Sequence, residues 1–365
     1  MWTILLLMLA VLTAGSVYLL MRRFKRSALL LKLKEKNKTA AALLYIALPL
    51  IIAATFFISS VTPIVIVLHI AVALLICDLI AFIIKKAAKK EISADIRNIS
   101  ALVLTFIYLS VGWFFAHHVY ITEYGFKTDK SLGKERLRIV VIGDAHIGIT
   151  LDGADFETEM KKVQSSEPDI VVVVGDLVDD DTEKDDMIKT CKALGALETS
   201  YGVYFVYGNH DKGYSDQRDF TAAELREELI SNGIRVLEDE SVAVNGNVYL
   251  TGRKDRSDKS RKSAAKLTEE LDKSKYIIML DHQPNDYENE ALSGADLVLS
   301  GHTHGGHIIP AGAIGQLLGA NDRVYGAETR GSTVFVVTSG ISGWGIPFKT
   351  GAVSEIAVID IYNDR

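Results

Sequence analysis

Four apolar runs dominate the first third of the chain. They cover residues 2–21, 40–59, 63–84 and 99–120, and each is about as long as a helix that crosses a bilayer. A signal peptide is the alternative for the first run, but the basic residues Arg22 and Arg23 follow this run instead of preceding it. We therefore predict four transmembrane helices, of which the second and third form a helical hairpin.

The loops between these runs differ sharply in charge. Residues 22–38 hold eight Lys or Arg, five more lie between the third and fourth runs, and the turn before Pro63 holds none. By the positive-inside rule both basic loops are expected in the cytoplasm, so everything after the fourth run is expected on the extracytoplasmic side of the cell membrane. His69 and Asp78 interrupt the third run, and they are candidate functional residues because ionisable side chains within a membrane span often have a function. Asp78 lies about two turns from Lys85, so a position near the interface stays open.

From residue 137 onwards, short β-branched runs alternate with amphipathic segments. The β-branched runs predict strands at residues 137–142, 170–174, 203–207, 277–280, 297–299 and 334–337. The amphipathic segments predict helices at residues 155–165, 184–197, 221–231 and 263–273. The dipeptide Asn245-Gly246 predicts a β-hairpin over residues 241–251. Strands separated by helices indicate an α/β domain with at least partly parallel pairing.

These patterns divide the chain into a four-helix transmembrane region (1–121), a linker (122–136) and a soluble domain (137–365). Charge follows the division: residues 1–121 carry 13 Lys/Arg against 4 Asp/Glu, and residues 122–365 carry 27 against 42. The net charges are therefore +9 and −15, which together make the −6 of the whole chain. An acidic soluble part argues against nucleic acid as a partner, because nucleic-acid binding needs basic patches. Cys77 and Cys191 indicate no disulfide framework.

Side chains that bind metals follow the predicted strands. They occur in the strings Asp144-Ala-His146, Gly175-Asp176-Leu-Val-Asp179, Gly208-Asn209-His210-Asp211 and Gly301-His302-Thr-His304, and in a lone His282. In an extended segment, Asp-x-His and His-x-His place both donors on one side, and the strand ends of an α/β sheet converge at one edge. A carboxylate can bridge two ions, and Asp176 is the natural bridge. The sequence therefore predicts a site for two adjacent divalent metals, with seven oxygen or imidazole donors: Asp144, His146, Asp176, Asn209, His282, His302 and His304.

This set of strings resembles the calcineurin-like metallophosphoesterase family over about residues 137–360, and the apolar runs lie outside the resemblance. The resemblance implies a four-layer α/β/β/α sandwich of two mixed sheets, with a dinuclear manganese, iron or zinc centre at the strand ends. It implies that one metal is held by Asp144, His146, Asp176 and His304, and the other by Asp176, Asn209, His282 and His302. It also implies that His210 acts near the leaving group and that the Asp179 carboxylate orients His210.

The expected chemistry is hydrolysis at phosphorus. Two divalent cations lower the pKa of a shared water, so that hydroxide becomes available near neutral pH for in-line attack. His210, held protonated by Asp179, would donate its proton to the departing oxygen, a contribution of about two to four powers of ten in rate.

Departures from the family pattern narrow the substrate. Asp180 stands where protein phosphatases of the superfamily carry Arg, which disfavours a phosphoprotein. The extended string Gly-His-Thr-His-Gly-Gly-His307 and residues 338–349 resemble a bacterial branch with membrane-associated phosphodiesterases and UDP-diacylglucosamine pyrophosphatase-like proteins, in which Lys349 would be the basic residue after the late proline. His307 is either a ligand or phosphate contact or, as we favour, a packed neutral imidazole. Trp344 is either the cap of a substrate pocket or a loop anchor.

We therefore expect a membrane-anchored phosphodiesterase or pyrophosphatase that acts on a lipid headgroup or another cell-envelope substrate. Two alternatives belong to other classes. A non-catalytic receptor or scaffold on a degenerate esterase fold predicts missing ligands, and none is missing here. A transporter regulated by the esterase domain rests only on His69 and Asp78.

Overall fold

The computed structural model describes residues 2–57, 59, 61–214 and 218–364. The chain divides into two compact units, Met1–Val111 and Gly112–Arg365. The helices of the first unit, the last of which ends in the second, are α1 (Trp2–Lys25), α2 (Ala28–Lys36), α3 (Lys38–Thr55), α4 (Thr62–Ala88) and α5 (Ala94–His117). Of these, α1, α3, α4 and α5 are long and apolar enough to cross a membrane, which confirms the four predicted helices. Ile58 and Ser60, at the end of the second predicted run and in the following turn, lie outside the described residues.

The basic loop after α1 contains a helix that the sequence pattern did not predict. The side chain of Ser27 accepts a hydrogen bond from the backbone N–H of Leu30 and so caps α2, and Asn37 caps α3 through Ala40 in the same way. The predicted hairpin is loosely packed, since α1 packs against both α3 and α4 more extensively than these two pack against each other. Many large apolar side chains of this unit are exposed, as expected for helices that face lipid.

The described residues of the second unit form two six-stranded sheets. In chain order the strands are β1 (Val119–Thr128), β2 (Arg136–Ile142), β3 (Ile170–Val173), β4 (Val203–Phe205), β5 (Arg235–Val236), β6 (Glu240–Ala243), β7 (Val248–Gly252), β8 (Tyr276–Leu280), β9 (Leu297–Ser300), β10 (Gly326–Arg330), β11 (Thr333–Val337) and β12 (Ser354–Asn363). The first sheet has the order β1-β12-β2-β3-β4-β5, and the second has the order β10-β11-β9-β8-β7-β6. Parallel and antiparallel pairs occur in both sheets.

The alternation of side chains along each strand builds the layers. In β2, Leu137, Ile139 and Val141 lie in the core between the two sheets, whereas Val140 and Ile142 lie in the core on the opposite face of the first sheet. The helices of this unit are α6 (Gly153–Ser165), α7 (Lys184–Gly195), α8 (Ala222–Ser231), α9 (Ala264–Thr268), α10 (Tyr287–Leu292) and α11 (Ala311–Leu317). Helices α6, α7 and α8 cover the first sheet, and α9 and α10 pack on the second. The predicted α/β/β/α sandwich is therefore confirmed.

Strand β1 extends into the segment predicted as a linker, residues 122–136, and covers its first seven residues. Its residues pair in parallel with β12, from Val119 beside Ser354 to Thr128 beside Asn363. Tyr124 and Phe126 pack against the core between the sheets, while the alternate positions of the strand beyond Val119 are exposed. The sequence of this segment is largely polar because only one face of an edge strand contributes to a core.

Candidate metal centre

The predicted donors lie where strands of both sheets end. Asp144 follows β2, Asp176 follows β3, Asn209 follows β4, His282 follows β8 and His302 follows β9. The ligand atoms of six of the seven predicted donors, together with those of Asp179 and His210, fall into three close groups, within each of which the atoms lie no more than 4.8 Å apart. These groups are Asp144 with His146 and His304, Asp176 with His282 and His302, and His146 with Asp179 and His210. The first two groups correspond to the two metal positions that the family resemblance implies.

The first group has the donor arrangement that a cation requires. His146 and His304 bring their Nε2 atoms to 3.2 Å from each other. The Nδ1 of His146 lies 2.9 Å from an Asp179 oxygen, and the Nδ1 of His304 lies 3.2 Å from the Ser342 carbonyl. Because each Nδ1 faces an acceptor, each carries the ring proton, and the two Nε2 lone pairs point at each other. Facing lone pairs repel each other unless a cation or a shared proton lies between them, so these residues fit a metal ion.

The second group is built in the same way. The Nδ1 of His282 lies 2.7 Å from the Val174 carbonyl, so Nε2 is the atom that would offer a lone pair to a metal. That Nε2 lies 3.1 Å from an oxygen of Asp176 and 3.2 Å from Oδ1 of Asn209. Three potential ligand atoms therefore lie close together. The same Asp176 oxygen lies 3.6 Å from Nε2 of His146, so the carboxylate stands between both groups, as a bridging ligand would.

Buried charge makes the two carboxylates of this centre unequal. Burial raises the pKa of Asp144 to about 6, and the neighbouring Asp176 carboxylate adds to the effect against the opposing influence of His282. Burial also acts on Asp176, but His282 and His146 outweigh it and hold the pKa of Asp176 well below its usual range. Burial lowers the pKa of His302 to about 3. Burial lowers the pKa of His282, but the Asp176 carboxylate outweighs it, so the net pKa rises to about 10. His282 therefore carries a proton that a divalent metal at this site would displace, whereas His302 is a neutral imidazole.

Strained backbone marks the same residues. Asp144, His146, Asp176, His302 and His304 have φ values of 52°, 36°, 52°, 71° and 48°. Residues other than glycine rarely adopt this left-handed conformation, and where they do, the surrounding structure holds them in it. Five of the seven predicted donors share this conformation. The loops therefore adopt a strained backbone that orients these side chains toward one another.

Glycines permit the loops to approach each other. Gly175 has φ 92°, and a Cβ on this residue would lie 2.5 Å from the backbone N of Gly208. A Cβ on Gly301 would lie 2.6 Å from an Asp144 oxygen. A side chain at either position would push one donor loop off the next.

One carboxylate holds two histidines. Asp179 places one oxygen 2.9 Å from Nδ1 of His146 and the other 3.0 Å from Nδ1 of His210. Burial lowers the pKa of His210, but the hydrogen bond with Asp179 and the nearby Asp176 charge outweigh it, so the net shift is upward. His210 therefore favours the protonated form that the sequence analysis expected, and Asp179 also orients the predicted ligand His146, which the sequence did not reveal.

Asp211 is the main functional residue that the sequence analysis left without a role. It is fully buried, and its carboxylate accepts hydrogen bonds from the backbone N–H groups of Asp176, Leu177 and Gly208 at 2.8, 2.8 and 2.7 Å. A fourth comes from Val178 at 3.2 Å. Asp211 thus ties the loop after β3 to the loop after β4. The signal was its place at the end of the string Gly-Asn-His-Asp.

The Lys349 side chain points into its own loop. Its side chain is fully buried, and Nζ donates to the carbonyls of Ser339 and Gly340 at 2.6 and 3.2 Å and to that of Ser342 at 3.3 Å. It thereby holds the loop whose Ser342 carbonyl faces His304. His307 stacks on the His304 ring at 5.2 Å, and burial lowers its pKa to about 3, which favours the packed neutral imidazole.

Two exposed aromatic rings flank His210. Trp344 is 46% exposed, with its ring centroid 5.4 Å from that of His210, and Tyr214 lies 5.1 Å away on the same measure. The Tyr214 hydroxyl accepts a hydrogen bond from the amide of Asn209 at 3.0 Å. This arrangement favours Trp344 as a wall of a substrate pocket over a mere loop anchor. Tyr214 carried no sequence signal, because it follows the donor string in a loop without periodicity.

Comparisons with known proteins agree with this geometry. A family model described as calcineurin-like phosphoesterase matches residues 137–306. An uncharacterized metallophosphoesterase of Aquifex aeolicus is 30% identical, over 66% of this chain and 91% of that protein. One of Campylobacter jejuni is 32% identical, over 62% of this chain and 60% of that protein. A transmembrane protein with metallophosphoesterase domain from Bos taurus is 30% identical, over 60% of this chain and 52% of that protein. The chain thus spans less than two thirds of the length of the last two relatives.

Proposed function

Because this chain belongs to the calcineurin-like phosphoesterase family and is a metal-dependent phosphoester hydrolase, we propose that it is a membrane-anchored phosphodiesterase with a dinuclear centre. Asp144, His146, Asp176 and His304 would hold one metal, and Asn209, His282 and His302, with Asp176 shared, would hold the other. The observation that carries this proposal is the close approach of potential ligand atoms in two neighbouring groups: Nε2 of His146 lies 3.2 Å from Nε2 of His304, and Nε2 of His282 lies 3.1 Å from an Asp176 oxygen.

The residues around the centre divide the work. When bound, the metals would supply a water of lowered pKa and neutralise the charge of the phosphate oxygens. The Nδ1 of His210 is held by Asp179, and Nε2 has no hydrogen-bond partner among the described residues, so from Nε2 it would donate a proton to the departing oxygen. Asp179 keeps the imidazole in the required orientation and favours its protonated form.

The leaving group would lie beside His210, between the exposed rings of Trp344 and Tyr214. Aromatic walls suit a leaving group with an apolar or flat face better than a second phosphate, so we favour a diester over a pyrophosphate. The four membrane-crossing helices support a substrate at the bilayer, such as a lipid headgroup or an envelope precursor. The distribution of basic residues supports an extracytoplasmic site.

Hydrolysis by the purified full chain tests the centre. With Mn²⁺, Fe²⁺ or Zn²⁺ supplied in turn, we expect turnover of bis(4-nitrophenyl) phosphate and a lower kcat/KM for 4-nitrophenyl phosphate. Asp176→Asn should lower kcat at least ~100-fold and reduce the bound metal measured by elemental analysis. Asp185→Asn, on the exposed face of α7, is the matched control and should change neither. Unchanged turnover in Asp176→Asn would exclude this centre as the catalyst.

A separate comparison tests the lipid substrate. The full chain in detergent would be offered a lipid-linked diester and a soluble diester with the same leaving group. We expect a higher kcat/KM for the lipid-linked compound. Equal values would reject the lipid headgroup as substrate while leaving the hydrolase assignment intact.

A further inference from the structure

A cavity of about 320 Å³ lies within the membrane unit, where α1 ends and α5 begins. Its cationic lining residues are Arg22, Arg23, Arg26 and Arg97, and none of its described lining residues is acidic. Four guanidinium groups around one cavity repel one another, and the repulsion is greatest where low-dielectric helices surround them. Such a cavity calls for an anion.

Asp78 accounts for two of these arginines. One oxygen of Asp78 pairs with Arg23, and the other lies 2.8 Å from Nη1 of Arg97. Arg23 also reaches Asn98 at 3.4 Å. The single carboxylate of Asp78 thus orients both arginines but neutralises only one of their two positive charges. Asp78 therefore has a structural partner set at the helix ends, and its place in the apolar run is explained by that set.

The other two arginines have no such partner. Arg22 and Arg26 are exposed and make neither a hydrogen bond nor an ion pair through their side chains with any residue that the structure describes. The Nε of Arg97 is buried and likewise without a partner among the described residues. Two free guanidinium forks are therefore available to a ligand.

A second cavity, of about 640 Å³, adjoins the first and shares Arg22 and Arg26 with it. Three more cations line this cavity, Lys25, Lys34 and Lys38. The rest of its lining is aliphatic and aromatic and includes Leu30, Leu31 and the two tyrosines Tyr18 and Tyr45. We call the two joined cavities the basic cleft. A free anion would use only the cations, whereas a ligand with an anionic head and an apolar tail would use the whole cleft.

The basic cleft lies at helix ends. The candidate span of α1 ends at Lys25, that of α3 begins at Lys38 and that of α5 begins at Ala94. Headgroups of a bilayer lie at this level, and basic pockets between helix ends bind phosphate headgroups there. Guanidinium groups match phosphate oxygens bidentately. We propose that the basic cleft binds an anionic glycerophospholipid, with its phosphate between Arg22 and Arg26 and its acyl chain along the apolar lining.

Native mass spectrometry of the full chain in detergent tests this site, with dioleoyl phosphatidylglycerol and dioleoyl phosphatidylcholine as probes. We expect tighter binding of phosphatidylglycerol. The double variant Arg22→Gln/Arg26→Gln should weaken it about 20- to 30-fold, since each basic residue near a membrane surface contributes about 1 kcal/mol. If that variant does not fold, Arg26→Gln alone decides, with an expected loss of about 5-fold.

The matched control is Lys86→Gln/Lys90→Gln, which removes two exposed cations at and beyond the end of α4, outside the cleft. It should leave phosphatidylglycerol binding within about 2-fold. An equal loss in the control, or equal binding of the two lipids, would overturn the site. Displacement of the lipid by an equal concentration of inorganic phosphate would show that a free anion is the ligand and would overturn the lipid assignment.

Discussion

Asp179 shows how one side chain serves two purposes at the proposed centre. Its two oxygens lie 2.9 and 3.0 Å from the Nδ1 atoms of His146 and His210. Its contact with His146 fixes the direction of the Nε2 lone pair that would bind a metal. Its contact with His210 fixes the direction in which that imidazole would donate its proton. Replacing Asp179 should therefore affect both metal binding and proton transfer, whereas replacing His210 should affect proton transfer alone.

Asp179→Asn and His210→Ala separate these purposes. His210→Ala should lower kcat about 100-fold or more for a diester with an alkyl leaving group and much less for a 4-nitrophenyl leaving group, which departs without a proton. Its metal content should stay that of the parent chain. Asp179→Asn should in addition weaken metal affinity about 10- to 100-fold. Identical metal affinities in the two variants would contradict the shared role of Asp179.

Trp344 offers a second test at a single position. If its exposed ring forms a wall of the leaving-group pocket, Trp344→Ala should raise KM for an aromatic diester about 10-fold with little change in metal content, and Trp344→Phe should retain most of the binding. Leu317→Ala, an exposed apolar residue on α11, is the control. Unchanged KM in Trp344→Ala would return Trp344 to the alternative of a loop anchor.

At the scale of elements, the proposed centre depends on the loops after β2, β3, β4 and β9, and the donors after β2, β3 and β9 have left-handed backbone. Such loops do not hold their shape by local preference. Asp211 supplies the missing constraint, because it gathers four backbone N–H groups from two of these loops. The buried carboxylate therefore acts as a positioning residue for Asp176 and Asn209.

Asp211→Asn should disturb this constraint, because an amide presents one acceptor oxygen where the carboxylate presents two. We expect the second unit to lose about 2 to 3 kcal/mol of stability and metal affinity to fall, with kcat per bound metal changed less. Urea unfolding followed by circular dichroism and metal titration measure these effects. Asp185→Asn is again the control, and a stable variant with normal metal affinity would contradict the role of Asp211.

At the scale of the whole molecule, the two units have opposite charge and different surroundings. The first offers apolar surface and basic ends, and the second is an acidic sandwich with the proposed catalytic residues. The proposed metal centre would link both sheets of that sandwich, since its donors follow strands of each. Metal binding should therefore stabilise the second unit as a whole.

Removal of metal by a chelator should lower the thermal midpoint of the second unit. Free metal at ~1,000 times its dissociation constant adds about 4 kcal/mol to the free energy of unfolding. Mn²⁺ should restore the midpoint. In His304→Ala the chelator should have a smaller effect, because one ligand of one of the two proposed metals is gone. A midpoint in the parent chain that is insensitive to chelation would contradict the proposed centre.

The side of the membrane is a property of the whole chain as well. The basic residues of 22–38 and of the segment between α4 and α5 predict a cytoplasmic position for both, and hence an extracytoplasmic second unit. Alkaline phosphatase and green fluorescent protein, fused in turn after Arg365, should give activity and no fluorescence, respectively. The reverse result would place the site in the cytoplasm.

The sequence by itself determined what depends on local periodicity and local chemistry. Neighbouring residues encode the apolar runs of bilayer length, the β-branched runs that end in donors, and the capping of α8. The four transmembrane helices, six of the strands and the seven candidate donors could therefore be predicted from the sequence. The resemblance then supplied the order of the layers.

Only the tertiary structure decided what depends on distant partners. Strand β1 becomes part of a sheet because β12, more than 200 residues later, pairs with it. Lys349 is turned inward because three carbonyls of its own loop surround it. Asp179 meets two histidines, and the Nε2 atoms of His146 and His304 meet each other, because loops from different strands converge. Such contacts have no periodic signature, since their energies arise between segments that the chain order does not bring together.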